Sequence, residues 1–143
     1  MKIAVGADHA GFRLKEHLKN YLKKNELDVI DYGTDSDQSV DYPDFGKKVA
    51  KAVQNGEVDR GIVICGTGIG MSMVANKYRN VRAALCLYPK MAEMARRHND
   101  ANVLAMGGRF VANQLALDIL DVFLNTDFEG GRHKRRVDKI DDK

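Results

Sequence analysis

Five short runs of apolar or β-branched residues, Lys2 to Val5, Val29 to Tyr32, Gly61 to Cys65, Val81 to Leu87 and Val103 to Met106, alternate along the chain with longer stretches of helical period. No other feature restricts the fold so strongly. In the first helical stretch Leu14, Leu18 and Leu22 recur at i, i+4 and i+8 among lysines. Phe45, Val49 and Val53 repeat the pattern in the second, and Leu115, Ile119 and Phe123 in the segment from Ala112 to Asn125. Each stretch presents one apolar stripe to a sheet. Strands separated by covering helices pair in parallel, because a right-handed crossover helix returns the chain to the same edge. The predicted fold is α/β, a Rossmann-like three-layer αβα sandwich around a five-stranded parallel sheet. In open sheets of this kind ligands bind beyond the carboxyl ends of the strands.

At 143 residues the chain reads as one domain spanning 1–143, with a polar, basic C-terminal segment from about residue 129. Hydrophobic residues at 44% and charged residues at 30% are the mixture of a folded globular protein. The net charge of +3, from 23 basic and 20 acidic residues, is too small to mark the whole chain as a nucleic-acid binder. Cys65 and Cys86 form no CxxC pair and no zinc-ligand spacing, so neither a disulfide framework nor a metal site is expected. The N-terminal apolar stretch is too short for a signal peptide, and no run approaches a membrane span. The expected compartment is the cytoplasm.

Three loops that follow strands carry residues with chemistry. After the first strand comes Gly6-Ala7-Asp8-His9-Ala10-Gly11. Asp8 and His9 there are either a charged pair at the strand's end or a helix cap beside a surface histidine. After the third comes Cys65-Gly66-Thr67-Gly68-Ile69-Gly70-Met71-Ser72. Its glycines let backbone amides turn inward toward an anion or oxyanion near a helix start. The spacing is GxGxG rather than GxGxxG, the next strand ends without an acid for a ribose, and no Gly-Lys-Ser/Thr follows, so dinucleotide and P-loop binding lose their supports. A thiol at this strand end, beside amides and a helix N-terminus, is placed to ionise readily, whereas Cys86 reads as a small buried hydrophobe. After the fifth strand, Gly107 and Gly108 precede Arg109, an anion ligand or a surface ion-pair partner.

Two further clusters are ambiguous. His98 and Asn99 follow Met91 to Arg97, where a histidine favoured by the helix dipole and an asparagine in a left-handed cap would be ordinary. The tail Gly130-Gly131-Arg132-His133-Lys134-Arg135-Arg136 places Arg132 and Arg136 on one helical face, as a phosphate clasp or a solvated basic run. His17 reads as a surface residue.

Taken jointly, DHAG after the first strand, DYPD at 41–44, CGTGIG, RRHND at 96–100, GGR at 107–109 and EGGRHKRR at 129–136 resemble the ribose-5-phosphate isomerase B family over nearly the whole chain. That family includes the galactose-6-phosphate isomerase subunits. The resemblance implies interconversion of ribose 5-phosphate and ribulose 5-phosphate through an enediol, without metal or organic cofactor. It implies that Cys65 moves the proton between C2 and C1, and that Thr67 with the amides from Gly66 through Gly68 and Ile69 to Gly70 stabilises the enediolate oxygen. His98 would assist ring opening, Asn99 would hold substrate oxygens, and Asp8, His9 and Tyr42 would bind hydroxyls or phosphate. Arg132 and Arg136 match the family's phosphate ligands, and Arg109 matches one that, like His98 and Asn99, comes from the neighbouring subunit. The implied partner is a second copy of the chain, as a homodimer or dimer of dimers, with no nucleic acid and no membrane. Some members use a glutamate at the position of Met71; methionine cannot act as a base, so this chain is of the cysteine type. A six-carbon sugar phosphate, a non-catalytic flavodoxin-like module and a nucleic-acid binder working through the tail are the competing readings.

Overall fold

The computed structural model describes residues 1–142. Strands β1 (Lys2–Ala7), β2 (Asp28–Asp31), β3 (Arg60–Cys65), β4 (Ala83–Leu85) and β5 (Val103–Gly107) form one sheet in the order β2-β1-β3-β5-β4. Every neighbouring pair is parallel. Helices α1 (Phe12–Lys24), α2 (Tyr42–Gln54), α3 (Ile69–Ala75) and α4 (Pro89–Asn99) make the four crossovers, and α5 (Asn113–Asn125) and α6 (Arg132–Asp141) follow the last strand. The predicted α/β architecture is the one found. No helix among the described residues is long and apolar enough to cross a membrane.

The pleat divides the core in two. Ile3, Val5, Ile62, Ile64, Leu104 and Met106 pack with the leucine stripe of α1 and with α4 and α5. Their neighbours Ala4, Val63, Cys65, Val103 and Ala105 face α2 and α3 on the other side. The predicted stripes face the core: Leu18, Leu22, Val49, Ile119 and Phe123 are inaccessible to solvent, while Phe45, Val53 and Leu115 at the stripes' ends are partly buried. One strand is shorter than its apolar run predicts. Val81 is used in a turn to Tyr78, and the Arg82 amide donates to Asn102 Oδ1, so β4 covers only Ala83–Leu85 at the sheet's edge.

One buried charge is tied to the sheet. Lys15 is 1% exposed, and its Nζ donates to Asp31 Oδ2 at 2.7 Å and to Glu16 at 3.3 Å. Burial works against ionisation of Asp31, but hydrogen bonds from Lys15 and Lys19 outweigh it and hold the carboxyl below its ordinary range. A carboxylate whose folded pKa is depressed adds stability above its unfolded value near pH ~4, and that stability is lost as pH falls through the lower folded value. Asp31→Asn leaves Lys15 with Glu16 alone and is expected to cost about 2–3 kcal/mol at pH 7 in urea unfolding, with the loss shrinking toward pH 3. A variant equally destabilised at both pH values would count against the charge pairing.

Candidate active site

The register brings the ends of β1, β3 and β5 level. Ala7 pairs with Ile64 and Cys65 with Gly107, so Asp8, the Cys65 loop and Arg109 emerge side by side at the carboxyl edge. The strand order reverses between β1 and β3, the place where such sheets form a crevice. A pocket of about 430 Å³ lies there, lined by Asp8, Tyr42, Cys65, Thr67, Met73 and Arg109 together with Gly66, Ile69 and Gly70.

Backbone contacts make this mouth rigid. Asp8 N donates to Ile64 O, Gly108 N to Cys65 O at 2.8 Å and Arg109 N to Gly66 O at 3.0 Å. Arg109 is thereby held above the glycine loop, its Nη1 3.0 Å from where a Gly66 side chain would begin. Asp8 is 6% exposed and does not cap α1. Its Oδ1 instead accepts from the amides of Ala10 and Gly11, closing the loop that presents it. His9 Nδ1 accepts from Val40 N at 3.2 Å, which leaves Nε2 to carry the proton of the neutral ring.

The loop itself is shaped around the thiol. Gly68 has φ 80° and ψ −14°, and its amide donates to Cys65 Sγ at 3.2 Å. The Ile69 amide donates to Thr67 Oγ1 at 3.1 Å. Two of the amides that the family resemblance assigns to an enediolate are thus engaged within the loop. A β-carbon on Gly68 would also lie 2.7 Å from the Met106 carbonyl carbon. Gly68→Ala therefore combines a left-handed backbone with an overlap against β5, and is expected to lower stability by about 2–4 kcal/mol. An unchanged urea midpoint would show that the loop relaxes freely. Gly70 is needed for another reason: the Tyr42 ring lies across it, with Cζ 2.6 Å from the place a β-carbon would occupy. Met71 is fully buried beneath the loop, and Cys86, 1% exposed, has its thiol pushed up to about 11 by burial.

The other predicted residues lie elsewhere in the same chain. α4 follows β4 and leads into β5, so it runs back against the strands, and its rise places His98 and Asn99 about 14–15 Å along the helix from its start after the carboxyl end of β4. Asn99 completes this helix, and Asp100 rather than Asn99 takes the left-handed position, with φ 46°. α6 packs against α4, with its far end held by an Arg82–Asp141 ion pair at 2.6 Å. The predicted helical placement of Arg132 and Arg136 is found, and both side chains are exposed, flanking His133 on α6. One chain therefore gathers Asp8, Tyr42, Cys65, Thr67 and Arg109 at one end and His98, Asn99, Arg132 and Arg136 at the other. Arg109, matched above to a ligand from the neighbouring subunit, sits instead over Gly66 of its own chain.

Sequence reasoning assigned nothing to Glu129 or His133, which complete the second cluster. His133 stacks on His98 with ring centroids 4.3 Å apart and planes within 10°. Burial and the charges of His98 and Arg132 push the His133 imidazole below its ordinary range. Burial opposes ionisation of Glu129, but its bond from Arg97 and the histidine charges hold its carboxyl low. A histidine flanked by basic residues was the sole signal for this cluster; exposed Met73 at the pocket rim left none.

A thiol under a glycine loop, with an arginine poised above it at the switch point of a parallel sheet, defines an α/β protein built to do chemistry on a small anionic compound. Known proteins narrow that class. Residues 3–140 match the family model described as Ribose/Galactose Isomerase. The chain is 50% identical over 139 residues to ribose-5-phosphate isomerase B of Escherichia coli (strain K12), covering 97% of this chain and 93% of that one. The Clostridium thermocellum ribose-5-phosphate isomerase B structure superposes with a TM-score of 0.98 at 57% identity, covering 99% and 95% of the two chains. That of Mycoplasma genitalium, with bound ribulose-5-phosphate, gives 0.94 at 46% identity over 98% and 94%. The chain belongs to the ribose/galactose isomerase family.

Proposed function

We propose that the chain interconverts ribose 5-phosphate and ribulose 5-phosphate, as a step of the non-oxidative pentose phosphate pathway in the cytoplasm. The observation that carries this reading is Cys65 Sγ at the floor of the carboxyl-edge pocket, fixed by the Gly68 amide and facing Arg109 across the loop. Cys65, as the base, takes the proton from C2 of the open-chain aldose, so that the C2–H electrons form the C1=C2 bond of the enediolate and the carbonyl pair moves onto O1. O1 is then protonated as the O2 hydroxyl gives up its proton, the O2 electrons form the C2=O bond, and the C1=C2 electrons take the proton back from Cys65 at C1. One base reaches both adjacent carbons. Thr67 and the loop amides left free for substrate stabilise the developing oxyanion. Asp8, His9 and Tyr42 orient the hydroxyls.

Ring opening and phosphate binding need the second cluster, and within one chain it lies at the wrong end. A two-fold pair sets the α4–α6 edge of each chain over the pocket of the other. His98 then moves the ring-oxygen proton, Asn99 holds substrate oxygens, and Arg132 and Arg136 join Arg109 on the phosphate.

Turnover of ribose 5-phosphate, measured against allose 6-phosphate and galactose 6-phosphate, tests the reading. The five-carbon substrate should have the largest kcat/KM. Preference for either six-carbon compound would reassign the substrate, and no turnover of any of the three would overturn the reading.

A further inference from the structure

His98, Glu129 and His133 offer two imidazole nitrogens and a carboxylate oxygen whose ligand atoms all lie within 4.8 Å of one another. We propose that these three side chains form a binding site for a transition-metal dication of the Zn²⁺ type, and that its occupation withdraws His98 from catalysis.

The spacing is close to what coordination requires. Tetrahedral Zn²⁺ with bonds of about 2.0–2.1 Å sets its ligand atoms about 3.3 Å apart. His133 Nε2 and Glu129 Oε1 are already 3.5 Å apart, and His98 Nε2 is 3.9 Å from the same oxygen. The remaining adjustment is a rotation of His98, which at 39% side-chain exposure is free to splay from its stacking partner. His133, at 9%, is the fixed ligand.

The carboxylate is held for the purpose. Glu129 Oε2 accepts from Arg97 Nε at 2.8 Å, and the Glu129 amide donates to Arg97 O at 3.0 Å, so Oε1 is left facing the two rings. An outer partner on the second oxygen of a ligating carboxylate is the usual support of a metal site. Arg132 and Arg136 weaken the hold on a dication, and the Glu129 carboxylate is the negative ligand that offsets their charge. Two imidazoles and one carboxylate leave a fourth position for water and suit zinc, cobalt or nickel rather than magnesium or calcium.

The metal takes the lone pair of His98 Nε2, so a metal-loaded chain has no proton carrier to offer its neighbour. This consequence rests on the proposed isomerase reading; the binding does not. Chelator-treated protein titrated with Co²⁺ should develop visible d–d absorption that saturates at one ion per chain and is displaced by Zn²⁺. Glu129→Gln, at an exposed position, and His98→Asn should each weaken binding at least about tenfold, while Cys65→Ala binds like the parent. Unchanged binding in Glu129→Gln and His98→Asn, or binding lost in Cys65→Ala, would overturn the site. In a second arm, Zn²⁺ should inhibit ribose 5-phosphate turnover, and Glu129→Gln, measured against its own metal-free rate, should need about tenfold more. Equal inhibition of both proteins overturns the inhibitory role. If ribose 5-phosphate is not turned over at all, the Co²⁺ titration still reads the site.

Discussion

Cys65→Ala lowers kcat for ribose 5-phosphate isomerisation by about 10²–10⁴-fold, the range over which one well-placed proton-transfer group accelerates a reaction, while KM changes only a few-fold. The split follows from the geometry. Cys65 Sγ is bonded to the Gly68 amide at the pocket floor, whereas the charges assigned to the phosphate, on Arg109, Arg132 and Arg136, belong to other elements. Alanine leaves the loop's backbone bonds to Gly108 and Arg109 in place, so the binding surface survives the loss of the base. Neither Met71 nor Cys86 replaces it: Met71 is buried and not ionisable, and Cys86 is sealed in the opposite layer with a thiol that stays protonated at neutral pH. Parent-level activity in the alanine variant would remove Cys65 from its assigned role.

Mixing inactive Cys65→Ala and His98→Ala chains restores activity to about one quarter of the parent level. The arithmetic is that of a shared site. Half of randomly paired dimers are mixed, and each mixed dimer combines an intact Cys65 from one chain with an intact His98 from the other at one of its two sites. That recovery is a rise of at least about tenfold over either variant alone, given the loss set by a proton-transfer group. If His98 acted on Cys65 of its own chain, every site in the mixture would stay damaged. The course of α4, which carries His98 away from the edge on which Cys65 opens, is the observation behind the expected recovery. Mixed dimers confirmed by mass and still inactive would refute a site shared between chains.

The sheet and its covering helices were readable because apolar period alone separates a strand from an amphipathic helix, and residues such as Leu18 and Val49 obey it without exception. β4 fell short of its apolar run because Val81 closes a turn onto Tyr78 and Arg82 is claimed by Asn102 and Asp100, which no local pattern records. The half of the site built on strand ends was legible for the same reason as the sheet: parallel order puts every βα loop on one edge. Where His98 and Asn99 lie was not legible from pattern, because helical period does not say how far along the sheet α4 carries them before β5 begins. Glu129 and His133 stayed hidden because stacking against His98 depends on how α6 docks on α4, a contact between segments more than 30 residues apart.

The separation of Cys65 from His98 along a single chain has a consequence for how the protein behaves when it is scarce. With the proposed sharing of sites, a solitary copy carries two different halves at opposite poles and no complete site. On that arrangement output rises with the square of the amount made until pairing saturates, and only above that threshold becomes proportional to it. A cell that made little of this protein would then obtain far less than a proportionate share of its chemistry.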